Sequence, residues 1–203
     1  MKTESFKDKK VTVMGLGLFG GGVGAVKYLA SQGANVTVTD LKSAKELSAS
    51  LKLLDNVPVK LRLGKHDEED FVNVDMLVVN PAVPSDSTFL KLAIENGVRI
   101  DSELSIFFRL CTAPVIGITG SNGKSTTTSL LGEMLKEAGI KTWVGGNIGI
   151  SLLENLDEIE TDDIVVLEIS SFQLEYLARI EASQHISIVT NIAPNHLDRH
   201  QTM

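Results

Sequence analysis

Two glycine-rich loops constrain the fold of this chain more than any other feature. The first reads Gly15-Leu16-Gly17-Leu18-Phe19-Gly20 and follows the strand-forming residues 10–14. The second reads Gly120-Ser121-Asn122-Gly123-Lys124-Ser125 and follows the strand-forming residues 115–119. A strand that leads through a glycine loop into a helix is typical of the first unit of a parallel α/β sheet, in which phosphates bind at the helix N-terminus. Two such units predict two sheets.

The rest of the chain alternates short β-rich runs with helical patterns, as an α/β fold requires. Further strands are predicted at residues 35–39, 57–63, 75–80, 163–169 and 185–191. Several of these are continuous Val/Ile/Leu runs, which are typical of strands buried on both faces of a parallel sheet. In three places a helical stretch meets a glycine, at Gly33, Gly97 and Gly139, and a β-branched run follows, which indicates a helix end leading into a strand.

The best helical pattern covers residues 124–138, and we expect its apolar positions to share one face. Those positions are Leu130, Leu131, Met134, Leu135 and Ala138. The predicted fold is therefore α/β, with a Rossmann-like N-terminal domain (residues 1–102) followed by a P-loop α/β ATPase domain (residues 103–203). The second domain is expected to be truncated, with the C-terminal domain absent.

Composition excludes several classes of partner. The 203 residues carry a formal net charge of −7 and no basic tract, so nucleic acid is not expected as the main partner. No run of eighteen apolar residues is present, which predicts no membrane span. The first ten residues lack the apolar core of a secretory signal, and Cys111 is the one cysteine, so we expect a cytoplasmic protein. We expect it to be a monomer.

The first loop matches the dinucleotide pattern G-x-G-x-x-G, and Asp40 ends the next predicted strand twenty residues after Gly20. In such a site the loop amides approach a pyrophosphate and the carboxylate accepts hydrogen bonds from ribose hydroxyls. NAD and any other nucleotide with a diphosphate would satisfy the same groups, so the motif does not choose between them. A tight turn without a ligand remains the alternative.

The second loop is the more specific signal. Its amides can cradle phosphates, Lys124 can reach the β/γ oxygens, and Ser125 can bind Mg²⁺. The usual G-x-x-x-x-G-K-[ST] pattern would need glycine where Ile118 stands, so the loop is a shorter G-x-x-G-K-S variant. Glu168 near the end of an apolar run is a candidate for the same metal. Ser170 and Ser171, which follow it, are either helix N-caps or ligand contacts, and the sequence leaves both open.

With both loops in place, the chain resembles the Mur ligases, the ATP-dependent amide-forming enzymes of peptidoglycan synthesis. The blocks that carry the resemblance follow the family order, and they are the two loops, Gly145-Gly146-Asn147-Ile148-Gly149, Leu167-Glu168-Ile169-Ser170-Ser171-Phe172-Gln173-Leu174 and Asn195-His196-Leu197-Asp198-Arg199-His200. The resemblance covers the N-terminal domain and the first half of the central ATPase domain. In the family a carbamylated lysine completes a second metal site, and it would lie beyond Met203.

The resemblance implies a role for each matching residue. ATP would be bound by Gly120, Ser121, Asn122, Gly123, Lys124, Ser125 and Thr126. The substrate UDP-N-acetylmuramoyl-L-alanine would be bound by Gly17, Leu18, Phe19, Gly20, Asp40, Asn147 and Ser170. Magnesium would be held by Ser125, Glu168 and His196, and the catalytic residues would be Lys124 and His196.

Two positions depart from the family pattern. Asn195 stands where an aspartate usually precedes the metal histidine, and Asn80-Pro81-Ala82 replaces the Ser-Pro-Gly that often ends the fourth strand. These departures put in doubt a carboxylate role at residue 195 and a substrate contact at residue 80.

The implied reaction adds D-glutamate to UDP-N-acetylmuramoyl-L-alanine through an acyl phosphate, with ATP and Mg²⁺, and we expect the segment by itself to be inactive. An NAD-dependent oxidoreductase built on the first loop and Asp40 is one alternative, but it leaves the Lys124 loop unexplained. A nucleotide-binding module without ligase chemistry is another. A folylpolyglutamate-type ligase would share the ATP loop but not the UDP-type domain.

Overall fold

The computed structural model describes residues 4–18 and 20–200. The chain divides into two compact units, Met1–Leu110 and Cys111–Met203. Both are built from parallel strands joined by helices, which confirms the α/β class.

The first unit contains a five-stranded parallel sheet. In chain order its elements are β1 (Lys10–Met14), α1 (Gly21–Ser31), β2 (Asn35–Asp40), α2 (Ser48–Lys52), β3 (Val59–Leu63), α3 (Glu69–Val72), β4 (Met76–Val79), α4 (Thr88–Glu95), β5 (Arg99–Asp101) and α5 (Glu103–Leu110). The strand order β3-β2-β1-β4-β5 is that of the first five strands of a Rossmann sheet. Since β2 and β4 lie on opposite sides of β1, the carboxyl ends of β1 and β4 mark the point where such sheets bind ligands.

Helix α5 lies with the first unit, although the sequence analysis placed the domain boundary before it, at residues 102 and 103. The helix contacts α1 and buries Ile106 and Phe107. Near its end, Arg109 donates hydrogen bonds to Asp101 (Nη1 to Oδ1, 3.1 Å) and to Glu4 (Nε to Oε2, 3.1 Å). These contacts attach α5 to the first sheet, so the helix belongs to the first unit.

The second unit contains a four-stranded parallel sheet with the order β7-β8-β6-β9. Its elements are β6 (Val115–Thr119), α6 (Lys124–Glu137), β7 (Thr142–Gly146), a 3₁₀ helix (Leu153–Glu158), β8 (Ile164–Glu168), α7 (Ser171–Arg179), β9 (Ile186–Val189) and α8 (Leu197–His200). The carboxyl ends of all four strands lie along one edge, since the strands are parallel. The second glycine loop, Asn147 and Glu168 therefore belong to the same edge of the sheet.

One expectation for α6 is wrong in part. Leu131 and Leu135 pack against the core, as predicted, but Ala138 is exposed, and Leu130 and Met134 are each 60% exposed. The helix faces the sheet through Gly132, where a Cβ atom would lie 2.5 Å from Val144 Cγ2. This close approach turns Leu130 and Met134 away from the sheet.

Within the described ranges, none of the helices has both the length and the apolar character needed to cross a membrane.

Candidate functional site

The second glycine loop, residues 120–125, joins β6 to α6 and ends in an uncapped helix N-terminus. Gly123 is the N-cap residue, with φ of 80°, and no side chain accepts a hydrogen bond from the first amides of α6. The first turn of α6 contains no acidic residue. Uncapped amides at the positive end of a helix dipole favour an anion, so the geometry suits a phosphate.

The side chain of Lys124 folds back across this loop. Its Nζ donates to the carbonyl oxygens of Gly120 (2.8 Å) and Ser121 (3.2 Å). The ammonium group therefore fixes the loop and places a positive charge beside the open amides. Both effects are what a triphosphate site needs.

Three predicted site residues meet at the carboxyl ends of β8, β7 and the start of α6. Ser125 Oγ donates to Glu168 Oε2 (2.6 Å), and Asn147 Nδ2 donates to Glu168 Oε1 (2.8 Å). The backbone N–H of Asn147 also donates to the carbonyl oxygen of Glu168 (2.9 Å). The structure thus brings together Ser125, Glu168 and Asn147, which lie far apart in the sequence.

Glu168 is only 3% exposed, and within the described part of the chain no lysine or arginine forms an ion pair with it. A buried carboxylate that is held only by neutral donors is costly unless a cation joins it. Carboxylate and hydroxyl oxygens are the hard ligands that Mg²⁺ prefers, together with phosphate oxygens. The donor set of Ser125 and Glu168 therefore fits Mg²⁺.

A cleft of about 620 Å³ opens beside these groups. Lys124, Asn147, Ser170 and His196 all line it. The His196 ring packs against Phe172, with 4.8 Å between ring centroids. Among residues 4–18 and 20–200, no group of three or more His, Cys, Asp or Glu side chains is arranged to hold a metal, and the residues that line the cleft with His196 do not include Glu168.

Ser170 is the N-cap of α7. Its Oγ accepts from the backbone N–H of Gln173 (3.3 Å), and its own N–H donates to Gln173 Oε1 (2.9 Å), which completes a capping box. Ser171 Oγ lies 2.9 Å from His200 Nε2. Both serines also line the cleft, so capping and ligand contact are compatible at this position.

In the first unit, Asp40 is turned toward the glycine loop. Its Oδ2 accepts from the backbone N–H groups of Leu16 (2.9 Å) and Gly17 (3.4 Å), and its Oδ1 accepts from Lys42 N–H (2.9 Å). Asp40 is only 6% exposed. The carboxylate therefore fixes the loop, and two amides that were expected to face a diphosphate bind it instead.

The remaining residues of the first loop lie at the switch point between β1 and β4. Asn80 stands so close that a Cβ atom on Gly15 would be 2.9 Å from the Asn80 Cβ, which explains why glycine occupies residue 15. Leu18 is 51% exposed, and Gly20 is the N-cap of α1. Phe19, also a predicted substrate contact, lies outside the described residues.

Sequence reasoning assigned no role to three polar residues at the carboxyl edges of the sheets. His66 follows β3, lies 2.7 Å (Nδ1) from Thr39 Oγ1 and packs edge-to-face against both Phe71 and Phe89. Burial lowers the pKa of His66, against the opposing effect of Asp40 and Asp70. Thr190 and Asn191 follow β9 and contact the second glycine loop. The available signal was their position directly after an apolar strand, where α/β proteins place ligand residues.

Two family descriptions match the chain. "Mur ligase MurD-like, N-terminal domain" matches residues 9–102, and "Mur ligase middle domain" matches residues 118–203.

Curated relatives align over nearly the whole chain. The UDP-N-acetylmuramoylalanine–D-glutamate ligase of Roseiflexus sp. (strain RS-1) is 50% identical over 195 residues, which are 96% of this chain and 42% of the relative. The ligase of the same name from Alkaliphilus oremlandii is 40% identical over 201 residues, which are 98% of this chain and 43% of the relative. The chain thus spans less than half the length of these relatives.

Solved structures share the fold at low sequence identity. UDP-N-acetylmuramate:L-alanyl-gamma-D-glutamyl-meso-diaminopimelate ligase from Neisseria meningitides matches with a TM-score of 0.60 at 19% identity. The match includes 95% of this chain and 63% of the Neisseria chain. UDP-N-acetylmuramate-alanine ligase from Thermotoga maritima matches with a TM-score of 0.57 at 21% identity. This match includes 96% of this chain and 44% of the Thermotoga chain. The two family descriptions between them match most of the chain, and the curated relatives align with nearly all of it. The chain therefore carries Mur ligase N-terminal and middle domains and belongs to the Mur ligase family.

Proposed function

We propose that this protein is an ATP-dependent ligase that joins D-glutamate to UDP-N-acetylmuramoyl-L-alanine in the synthesis of peptidoglycan precursors. The choice of substrates is supported by the names of relatives up to 50% identical. The observation that carries the chemistry is the meeting of Lys124, Ser125 and Glu168 beside an uncapped helix N-terminus. The proposal includes a cytoplasmic location and a monomer, as expected from the sequence.

In this proposal the second loop binds the phosphates of ATP. The free amides at the start of α6 donate hydrogen bonds to the β- and γ-phosphate oxygens, and Lys124 exchanges its bonds to the loop carbonyls for bonds to the phosphates. Thr126 lies in the first turn of the same helix, next to those amides. Ser121 and Asn122 shape the loop, because strand-end residues after β9 hold them.

Ser125 and Glu168 would hold Mg²⁺, and Asn147 would keep the Glu168 carboxylate in place through Oε1. When bound, the metal neutralises charge on the transferring phosphoryl group. His196, which lines the cleft with Lys124 and Asn147, would face the muramoyl-alanine end of the substrate.

The proposed reaction has two steps that balance without an enzyme nucleophile. A carboxylate oxygen of the alanine attacks the γ-phosphorus of ATP, the bond to the bridging oxygen breaks, and ADP leaves with that electron pair. The amine of D-glutamate then attacks the acyl carbon, loses a proton, and phosphate departs as the amide forms. Lys124 serves the first step by offsetting the repulsion between a carboxylate and a triphosphate.

The one cysteine of the chain fits this absence of covalent catalysis. Burial raises the pKa of the Cys111 thiol, whose Sγ donates to the carbonyl oxygen of Ala113 (3.7 Å). A thiol with a raised pKa is a poor nucleophile at neutral pH.

The UDP moiety is assigned to the first unit, at the switch point beside Gly17, Leu18 and Gly20. Asp40 supports this site by holding the loop through Leu16 and Gly17. The ribose and the base of the substrate carry no negative charge. The carboxylate in this loop therefore repels them less than it would repel a phosphate.

The test is a coupled assay on the protein in its natural full length. Phosphate and ADP are measured with ATP, UDP-N-acetylmuramoyl-L-alanine and D-glutamate, and with each substrate left out in turn. We expect release that needs all three substrates, with the amide product formed in equal amount. Absence of ligation together with tight NADH binding at the first loop would overturn the proposal and favour an oxidoreductase.

A further inference from the structure

The segment that follows β9 is bonded to the phosphate loop at several points. We call residues 190–193 the strap. Asn191 grips the loop at Asn122, where its Oδ1 accepts from the backbone N–H (3.1 Å) and its Nδ2 donates to the backbone carbonyl (2.8 Å). A side-chain amide offers one acceptor and one donor side by side, so it satisfies both polar groups of a single residue in an exposed turn.

Other strap residues reinforce this contact. Ser121 N–H donates to the Asn191 carbonyl (3.0 Å), and Ser121 Oγ donates to the Ala193 carbonyl (2.8 Å) while accepting from Ala193 N–H (2.9 Å). Thr190 Oγ1 lies within 2.6 Å of the Asn122 carbonyl. The strap therefore provides most of the hydrogen bonds to Ser121 and Asn122 at the tip of the loop. It is close to them in space but lies about seventy residues away in sequence.

The packing at Gly120 shows independently how closely the strap approaches. A Cβ atom at this residue would lie 2.2 Å from Thr190 Oγ1 and 2.8 Å from the Asn191 carbonyl oxygen. Contacts this short would force the strap away from the loop. Glycine at residue 120 is thus required by the strap as well as by its φ of +135°.

We propose that Asn191 is a positioning residue for ATP, which holds the loop at Asn122 in the conformation that receives the phosphates. The inference deepens the proposed function and rests on it, because it takes the ligand of the loop to be ATP. A loop that is already fixed loses less conformational freedom when it binds ATP. Removing the hydrogen bonds between Asn191 and Asn122 should therefore weaken ATP binding.

The strap also leads from the loop to His196 along the chain. Beyond Ala193 the chain continues through two residues to His196, which lines the cleft with Lys124. One short segment therefore connects the loop to His196.

The test measures steady-state kinetics of the full-length protein with Asn191→Ala and, as a matched control, Asn155→Ala. Asn155 lies in the 3₁₀ helix, and its side chain bonds only weakly to Glu158 (3.4 Å). We expect Asn191→Ala to raise the KM for ATP by about tenfold, the effect of losing two exposed hydrogen bonds, and to leave the KM for D-glutamate unchanged. Asn155→Ala should change neither constant.

A second pair of variants guards against misfolding of Asn191→Ala. Thr190→Val loses the hydroxyl at nearly constant shape, whereas Thr190→Ser keeps it. We expect a higher KM for ATP in Thr190→Val and near wild-type values in Thr190→Ser, with similar Tm in both. An unchanged KM for ATP in Asn191→Ala, or in Thr190→Val if the former does not fold, would overturn the positioning role alone. An unmodified protein without ATP-dependent ligation would overturn the proposed function and this inference together.

Discussion

The two glycine loops have similar sequences and similar places at the carboxyl edge of a parallel sheet, yet they are fixed by groups of opposite charge. The first is held by the buried carboxylate of Asp40, which accepts hydrogen bonds from loop amides. The second is held by the ammonium group of Lys124, which donates to loop carbonyls. An incoming phosphate meets a negative charge in the first loop and a positive charge in the second.

This difference teaches that the group fixing a glycine loop decides what the loop can bind. A carboxylate occupies amides that could hold a phosphate and repels its charge, whereas a lysine leaves the helix amides open and attracts it. The G-x-G-x-x-G pattern alone does not distinguish the two situations. Of the two loops, only the second has the electrostatics of a triphosphate site.

The largest effect is expected from removing the positive charge of the second loop. Lys124→Ala should lower ATP-dependent phosphate release by about a hundredfold or more, because one charge contact to the transferring group is lost. Among the described residues, the hydrogen bonds of Lys124 Nζ go to two carbonyls of its own loop and to no core group, so we expect Tm to change little. Initial rates and thermal unfolding measure the two quantities.

Lys136→Ala is the matched control for this variant. Lys136 lies on the same helix, where it pairs with Glu133 (2.9 Å) on the exposed face. The Lys136→Ala variant should release phosphate at the wild-type rate. Near wild-type ligation by Lys124→Ala would contradict the assignment of the second loop.

The next effect concerns the acidic partner of the second loop. Glu168→Gln removes the charge of the carboxylate while its amide can still bond to Ser125 and Asn147. We expect the Mg²⁺ concentration for half-maximal activity to rise about tenfold or more, since altered metal surroundings commonly cost that much affinity. Stability should not fall, because the native charge is buried without a cationic partner among the described residues.

Activity against Mg²⁺ concentration, compared with the exposed control Glu133→Gln, measures the effect. An unchanged Mg²⁺ dependence would remove Glu168 from the metal site.

Asp40→Asn tests whether the first loop depends on its carboxylate. The asparagine oxygen can satisfy some of the amides that Asp40 satisfies, but its NH₂ group then faces another donor. We expect a loss of about 1–3 kcal/mol in the free energy of unfolding, the usual cost of leaving a buried donor without an acceptor. Denaturant unfolding of Asp40→Asn beside the exposed control Asp86→Asn gives the difference, and equal stability of the two variants would mean that the loop is fixed by other contacts.

The smallest effect is a pH dependence from His66 at the same edge of the first sheet. Its pKa is lowered in the folded state by burial, so the folded protein binds fewer protons than the unfolded chain near and below pH 6.5. Stability from this group is therefore complete above that pH and is lost as the pH falls below it. His66→Phe keeps ring packing with Phe71 and Phe89 and should weaken the fall in unfolding free energy between about pH 7 and about pH 5. An equally steep fall in both proteins would show that other groups cause it.

The sequence predicted elements well wherever local signals agreed. Apolar runs ending in glycine loops gave β1 and β6, and the structure has them at the predicted residues. β7 was indicated only by the helix end at Gly139, because Thr142-Trp143-Val144-Gly145-Gly146 contains two glycines and is stabilised as a strand by pairing with β8. Helix α5 packs with the first unit through contacts such as that of Arg109 with Glu4, and a contact between residues about a hundred positions apart leaves no signal in a local sequence pattern.

The site was predictable as a set of residue types but not as a set of contacts. The positions of Ser125 and Glu168 followed from the loop and the strand end, and their 2.6 Å hydrogen bond required β8 to lie beside β6. The direction of the Asp40 carboxylate could not be predicted, because it depends on the pairing of β2 with β1, which places Asp40 beside the loop amides. Asn191 could not be connected to the loop until the sheet order placed β9 next to β6.

The most direct test of the charge difference between the two loops is an amide spectrum of the ¹⁵N-labelled protein during titration with Mg²⁺ and ATP, and separately with NADH. The account predicts that ATP shifts the signals of Gly123, Lys124 and Ser125 and leaves those of Leu16 and Gly17, whose amides are bound by Asp40, in place. NADH should shift neither set. Shifts at Leu16 and Gly17 with either nucleotide, without any at Lys124 and Ser125, would contradict the account.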